Sequence, residues 1–414
     1  MKRTSLALAV AAGTLGVSLM AQAEFIKASK ASIEARNFYF SRDFRDGAGQ
    51  AKSEEWAQGF LLRLESGYTD GTVGFGLDAL GTLGFKLDSG GGTAGSGLLV
   101  PDRSGGSQDS YSGLGLTAKA NVAESLLKVG ALQLKNPAIG SSDSRLLPQV
   151  FRGAQLVSKD IAGLTLDAGY LDEVNNRNSS DYEDMTLNTF ALSGIKISGA
   201  NQSNEFLYGG GTYKLSDSLS AGYYYSNLEE MYKQHSVNLV HVLPLGDKQS
   251  FKTDLRFARS TDDGSSNIDN KAFGAMFTYA LSGHSLGLGY QKMSGDTGAA
   301  YVGGTDPYLV NYVQIGNFAA KDETSWQARY DFNFASVGIP GLTFMTRYLT
   351  GDNIDRGAAS DGKEWERDMD IAYVVQNGPL KNLGVKWRNA TMRNNFGRDI
   401  DENRLIVSYT LSLL

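Results

Sequence analysis

Seven basic residues stand where they could bind carboxylates: Arg36, Arg63, Arg329, Arg347, Lys386, Arg388 and Arg404. Each falls in a segment whose alternate residues are apolar or aromatic, so the cation shares a face with other polar side chains. A guanidinium suits a carboxylate because its planar fork can hold both oxygens. A row of such cations in a narrow, low-dielectric passage attracts anions and hands them between sites of moderate affinity. Each cation is equally open to pairing with an acid on its own face. Glu34, Glu65, Asp78, Asp331 and Asp370 occupy such positions. Lys252 and Arg256 also point that way, further along the chain, where structural pairing fits them better.

Other chemistry is poorly supplied. With 414 residues and no Cys, the chain has no disulfide framework and no thiolate site. The three histidines, His235, His241 and His284, are scattered. His241 beside a serine is the one opening for a barrel hydrolase, and no acid completes it. Asp262, Asp263 and Asp269 have a calcium-loop composition but match no EF-hand spacing, so a solvated loop is expected and no metal site. No catalytic residue and no cofactor is assigned. A net charge of −6 argues against nucleic acid as a partner.

The elements that must position the cations are strands. The 50 Gly, 20 Tyr and 19 Phe fit many short strands, tight turns and aromatic girdles. In the last segment, Leu405, Val407, Tyr409, Leu411 and Leu413 face one way, and Arg404, Ile406, Ser408, Thr410 and Ser412 the other. The preceding segment places Leu383, Val385 and Trp387 opposite Lys386 and Arg388. About eighteen such segments follow one another, with short turns alternating with long loops, which predicts a closed membrane β-barrel rather than a propeller or sandwich. Apolar stripes then face lipid and the cations face an aqueous lumen. Closure makes the last five strands and the first two neighbours; among them only the 366–377 strand lacks an inward cation and shows Asp370, so the cations form a strip down one wall.

Residues 1–23 read as a secretory signal peptide: Lys2 and Arg3, an uncharged run from Leu6 to Met20, then Ala21-Gln-Ala23. Residues 24–414 read as one barrel domain. The loop from Lys135 to Pro148 carries Ile139, Leu146 and Leu147, which predicts that it packs on something. The Gly/Ser-rich stretch from Ser89 to Ser110 reads as a loop. The insertion from Asn175 to about Asn201 has no decisive period; Met185 to Ile197 fits either a short helix or a strand.

Four separated motifs resemble one family, the OprD porins of pseudomonads. They are Arg36-Asn-Phe-Tyr-Phe-Ser-Arg-Asp43, Asp143-Ser-Arg-Leu-Leu-Pro-Gln-Val-Phe-Arg-Gly153, Ser325-Trp-Gln-Ala-Arg-Tyr-Asp331 and Asp401-Glu-Asn-Arg-Leu-Ile-Val-Ser-Tyr409. The resemblance implies an all-β, transmembrane antiparallel barrel of about eighteen strands with a basic ladder in its lumen. It implies a third loop near 136–149 and a seventh near 294–323 that fold inward and narrow the pore. Arg145, Arg152, Asp306 and Tyr308 would then belong to the constriction. It further implies an outer-membrane location, a monomer (a trimer being the alternative), and passive uptake of small carboxylates. The short mature length is similar to the BenF-like subgroup that takes aromatic acids. A general porin of low selectivity is the alternative function.

Overall fold

The computed structural model describes residues 27–414, so the leader expected at residues 1–23 lies outside the described residues. The strands are β1 (Lys30–Phe44), β2 (Lys52–Glu65), β3 (Gly74–Asp88), β4 (Ser110–Val122), β5 (Ser125–Leu132), β6 (Val150–Ser158) and β7 (Leu164–Asn175). Then come β8 (Tyr182–Glu183), β9 (Phe206–Lys214), β10 (Leu219–Leu228), β11 (Tyr232–Gly246), β12 (Gln249–Asp262) and β13 (Asp269–Leu281). Last are β14 (His284–Ser294), β15 (Thr324–Asn333), β16 (Leu342–Ile354), β17 (Gly362–Val374), β18 (Gly384–Asn394) and β19 (Ile400–Ser412).

Successive strands pair antiparallel, and β1 pairs with both β2 and β19, which closes the sheet. The two residues of β8 pair only with the end of β7, while β7 itself goes on to pair with β9. The wall is therefore a closed antiparallel barrel of 18 strands, with β8 as an extra piece. Closure is what hydrocarbon demands, because an open edge would leave unpaired N–H and C=O groups with no water to satisfy them. At the seam Arg36 stands opposite Ser408, and Phe40 opposite Arg404.

The two faces are inverted relative to a soluble protein. Outward-facing Phe75, Leu114, Leu288 and Trp326 leave more than half of their surface exposed. Inward-facing Glu55, Gln327, Glu366, Glu402 and Arg404 are buried. The lumen is thus packed with polar groups and with loops from one end of the barrel.

Three of those loops meet inside. The third (133–149) buries Ile139, Leu146 and Leu147, and the last two pack on Phe38, Phe40 and Leu61 of the wall. The second loop (89–109), rich in Gly and Ser, packs inward as well. Its Leu98 and Leu99 join the same cluster. The seventh (295–323) buries Val313 and Phe318 against Leu349. The fourth (176–205), undecided from sequence, is neither helix nor regular strand over Met185–Ile197. Isolated bridges from Met185 to Ser203 and from Leu187 to Val302 pin it to itself and to the seventh loop.

Candidate functional site

The wall strands set the ladder cations by simple alternation, and the structure turns most of them onto acids. Arg36 on β1 donates to Glu34 at 2.9 Å and to Asp143 of the third loop at 2.7 Å. It also donates to the carbonyls of Arg145 and Leu146, so it clamps that loop to the wall. Arg63 reaches Glu34 at 3.4 Å. Arg329 holds Asp331 through two hydrogen bonds of 2.7 Å, and Arg347 holds Asp368 at 2.6 Å. Arg388 donates to Asp370 at 3.0 Å. Arg404 donates to Glu402 at 2.6 Å and to the Gln314 carbonyl of the seventh loop at 3.1 Å. Glu402 also receives Arg42 at 2.8 Å and the Gln314 amide at 2.9 Å. Lys386 has no ion pair among the described residues.

The guanidinium groups crowd one aromatic ring. Those of Arg42, Arg145 and Arg404 lie 5.3–5.4 Å from the centre of the Phe40 ring. The electron-rich face of an aromatic ring attracts cations, which offsets part of their mutual repulsion.

Arg145 differs from the ladder residues. It donates to the Ser96 carbonyl at 2.8 Å and to Ser144, and it has no carboxylate partner among the described residues. Burial, then the like charges of Arg404 and Arg177, hold its pKa well below the usual arginine range. An arginine keeps its proton in proteins, so this cation stays charged while buried, with no carboxylate in hydrogen-bond reach among the described residues. Arg177 approaches from the fourth loop. It donates to Ser144 Oγ at 2.6 Å and to Ser142 Oγ at 3.1 Å, again with no carboxylate partner. Ser144 Oγ lies 3.3 Å from Arg145 as well, so the two cations converge on one hydroxyl. Such a pair can hold an oxyanion from two sides.

The seventh loop completes the constriction. The Asp306 amide donates to the Gly140 carbonyl at 2.8 Å. A Cβ at Gly140 would lie 2.7 Å from the Asp306 carbonyl, so only glycine permits this approach. Burial pushes the Asp306 carboxyl above its ordinary value, against the pull of Ser142, Arg177, Lys135 and Arg145. Tyr308 lies under Arg256, 4.0 Å from guanidinium to ring centre, and Arg256 pairs with Asp254. Gln149 donates to both Asn176 and the Gly303 carbonyl at 3.1 Å, which ties the third, fourth and seventh loops together.

Arg145, Asp306 and Tyr308 are thus brought to the loop cluster. Arg152 is not. It sits on β6, past the end of the third loop, where it pairs with Asp172 and Glu173. The motif Gln149-Val-Phe-Arg-Gly153 already belongs to the wall, and a sequence boundary cannot resolve three residues. Sequence reasoning missed Arg177, which lay in the undecided insertion. Its only signal was a cation two residues beyond the end of a strand. His241 stands opposite Leu219 and Thr253, and no serine–acid pair faces it. Asp263 and Asp269 are taken by Lys233 and Arg259.

A cavity of about 350 Å³ is bounded by Arg145 and Ser144 on one side and by Lys386 and Arg388 on the other. Phe38, Ile406, Ala372 and Val374 give it an apolar flank. The model for the outer membrane porin, OprD family, matches residues 23–413.

The chain belongs to the OprD family.

It is 38% identical to Porin D of Pseudomonas aeruginosa over 450 residues, covering 100% of this chain and 99% of the relative. It is 40% identical to the porin-like protein GalP of Pseudomonas putida, covering 96% and 95%. Among solved structures, OpdQ of Pseudomonas aeruginosa is 63% identical with a TM-score of 0.89, covering 95% of this chain and 100% of that one. A BenF-like porin of Pseudomonas fluorescens is 41% identical with a TM-score of 0.89, covering 94% and 100%. This OprD-family chain is accordingly an outer-membrane barrel channel.

Proposed function

We propose that this channel passes small carboxylate-bearing solutes by passive diffusion, and that it favours those with an apolar or aromatic body. The observation that carries the reading is the convergence of Arg145 and Arg177 on Ser144 with no carboxylate hydrogen-bonded or ion-paired to either among the described residues. A solute carboxylate would supply the missing counter-charge there. It would then meet Lys386, which is also unpaired among the described residues, and pass down the Arg388 side of the wall. The apolar flank of Phe38 and Ile406 suits the remainder of an aromatic acid. Moderate affinity at each step keeps the solute moving, because a site that binds too well stops conduction.

The test is reversal potential across a planar bilayer under a salt gradient, with uptake of benzoate into loaded vesicles. Arg145→Gln together with Arg177→Gln should shift the reversal potential toward cations and slow benzoate entry at least about tenfold, the loss of about 1.4 kcal/mol of anion stabilisation. Unchanged values in both assays would overturn the reading. A general porin is the second reading, favoured by the internal pairing of the ladder arginines. Vesicle swelling by neutral sugars as fast as by carboxylates would establish it.

A further inference from the structure

The outer wall carries a feature that transport does not use. Two adjacent rows of cross-strand partners run across β12–β17 on the lipid-facing side. One passes through Phe251, Tyr279, Leu286 and Tyr330. The other passes through Phe277, Leu288, Ala328 and Tyr348, and ends at Arg367. Ala328 is small where its neighbours are large, and the rows enclose a shallow apolar groove of about 740 Å³. Five inter-strand steps make it about 24 Å long, which is the reach of a fatty acyl chain.

Arg367 closes the end of this groove. It is exposed on the lipid-facing side and has no carboxylate partner among the described residues. Its Nη2 donates to Asn389 Oδ1 at 2.7 Å and to Thr391 Oγ1 at 3.3 Å, and Asn389 donates in turn to Asn403. That network aims the guanidinium and leaves its other donors free. Tyr348 and Trp365 stack beside it at 5.7 Å, an aromatic pair of the kind found at the membrane–water boundary. A bare cation on a lipid-facing surface is costly unless something anionic meets it.

We propose that this groove retains a phosphate-bearing lipid of the surrounding leaflet, its acyl chain along Leu286, Leu288 and Ala328 and its phosphate on Arg367. Charge complementarity and the apolar run that leads up to the charge select this occupant over a soluble anion, which would have no use for the groove, and over a second protein chain.

The experiment is native mass spectrometry of the intact channel in detergent, titrated with lipid A. Heat-modifiable gel migration checks the fold of each variant. Arg367→Gln should raise the apparent Kd at least about tenfold, as loss of one charge-assisted contact implies. Ala328→Trp, which fills the groove and leaves the charge, should weaken retention by a similar factor. Phosphatidylethanolamine, whose ammonium group offsets the charge of its own phosphate, should bind the wild type more weakly than lipid A does. Equal lipid A retention by the wild type and both variants would overturn the proposal. Displacement of lipid A by millimolar inorganic phosphate would also overturn it, by assigning Arg367 to a free anion.

Discussion

Arg388 and Arg404 stand directly opposite each other on β18 and β19, and each guanidinium turns away from the other onto an acid. Arg388 takes Asp370, and Arg404 takes Glu402. Two like charges at cross-strand distance would repel strongly in a low-dielectric lumen. The acids convert the row of bare cations into a row of ion pairs. Arg145, Arg177 and Lys386 are left with no ion pair among the described residues.

This arrangement separates two double variants. Arg388→Gln with Arg404→Gln removes two cations, frees Asp370 and leaves Glu402 to Arg42 alone, so anion preference should fall and cation leakage should rise. Arg145→Gln with Arg177→Gln frees no acid, so it should lower anion uptake with less gain in cation conductance. Single-channel current–voltage curves in asymmetric salt distinguish them. If the first double variant leaves reversal potential and uptake both unchanged, the ladder has no role in selectivity.

Glu402 and Arg404 are almost fully buried, at 0% and 1% exposure. Removing one partner of such a pair leaves an uncompensated charge, which costs about 3–5 kcal/mol. Arg42 remains on Glu402, so Arg404→Gln should sit near the lower end of that range. Adding Glu402→Gln should restore part of the loss. Urea unfolding in lipid vesicles gives both midpoints, and a double variant less stable than the single one would contradict the pairing.

Strand number, closure and the face of nearly every wall residue were legible because period-2 alternation is a local property of sequence. Leu405 and Trp387 outward with Arg404 and Arg388 inward needed nothing more. The inward packing of the third loop was legible too, since Ile139, Leu146 and Leu147 are wasted in water. The pairing of Arg36 with Asp143 was not, because 107 residues separate them and only loop geometry joins them. Arg177 stayed hidden for the same reason. The fourth loop has no period of its own and takes its shape from contacts such as Leu187 with Val302.

The seventh loop hangs on Glu366, whose two carboxylate oxygens accept the Ile315 and Gly316 amides at 2.9 and 2.7 Å. Hydrogen bonds to a charged group contribute about 1.5–3 kcal/mol each. Glu366→Ala should release this part of the loop, raising mean conductance and open-channel noise. Conductance and noise equal to wild type would mean that Gln314 and Phe318 hold the loop without it.

Gly140→Ala tests the contact between the third and seventh loops. The new Cβ would meet the Asp306 carbonyl, and backbone cannot yield there as a flexible side chain would. The loops should part, the constriction widen and neutral sugars enter faster, while the unfolding free energy falls by about 1–3 kcal/mol for overpacking. Sugar influx into vesicles reports the first effect directly, and unchanged influx would place the narrowest point elsewhere.

Asp306 supplies a pH dependence whose sign is fixed. Burial raises its pKa above that of a free aspartate, so the folded protein takes up this proton more readily than the unfolded chain. Its contribution to stability therefore grows as pH falls through the folded-state value and is lost above it. The same proton removes a negative charge near Arg145 and Arg177. Anion preference should thus rise as pH is lowered from neutral. Asp306→Asn should show the high preference throughout and flatten the profile. A variant that keeps the wild-type profile would assign the titration to another carboxyl.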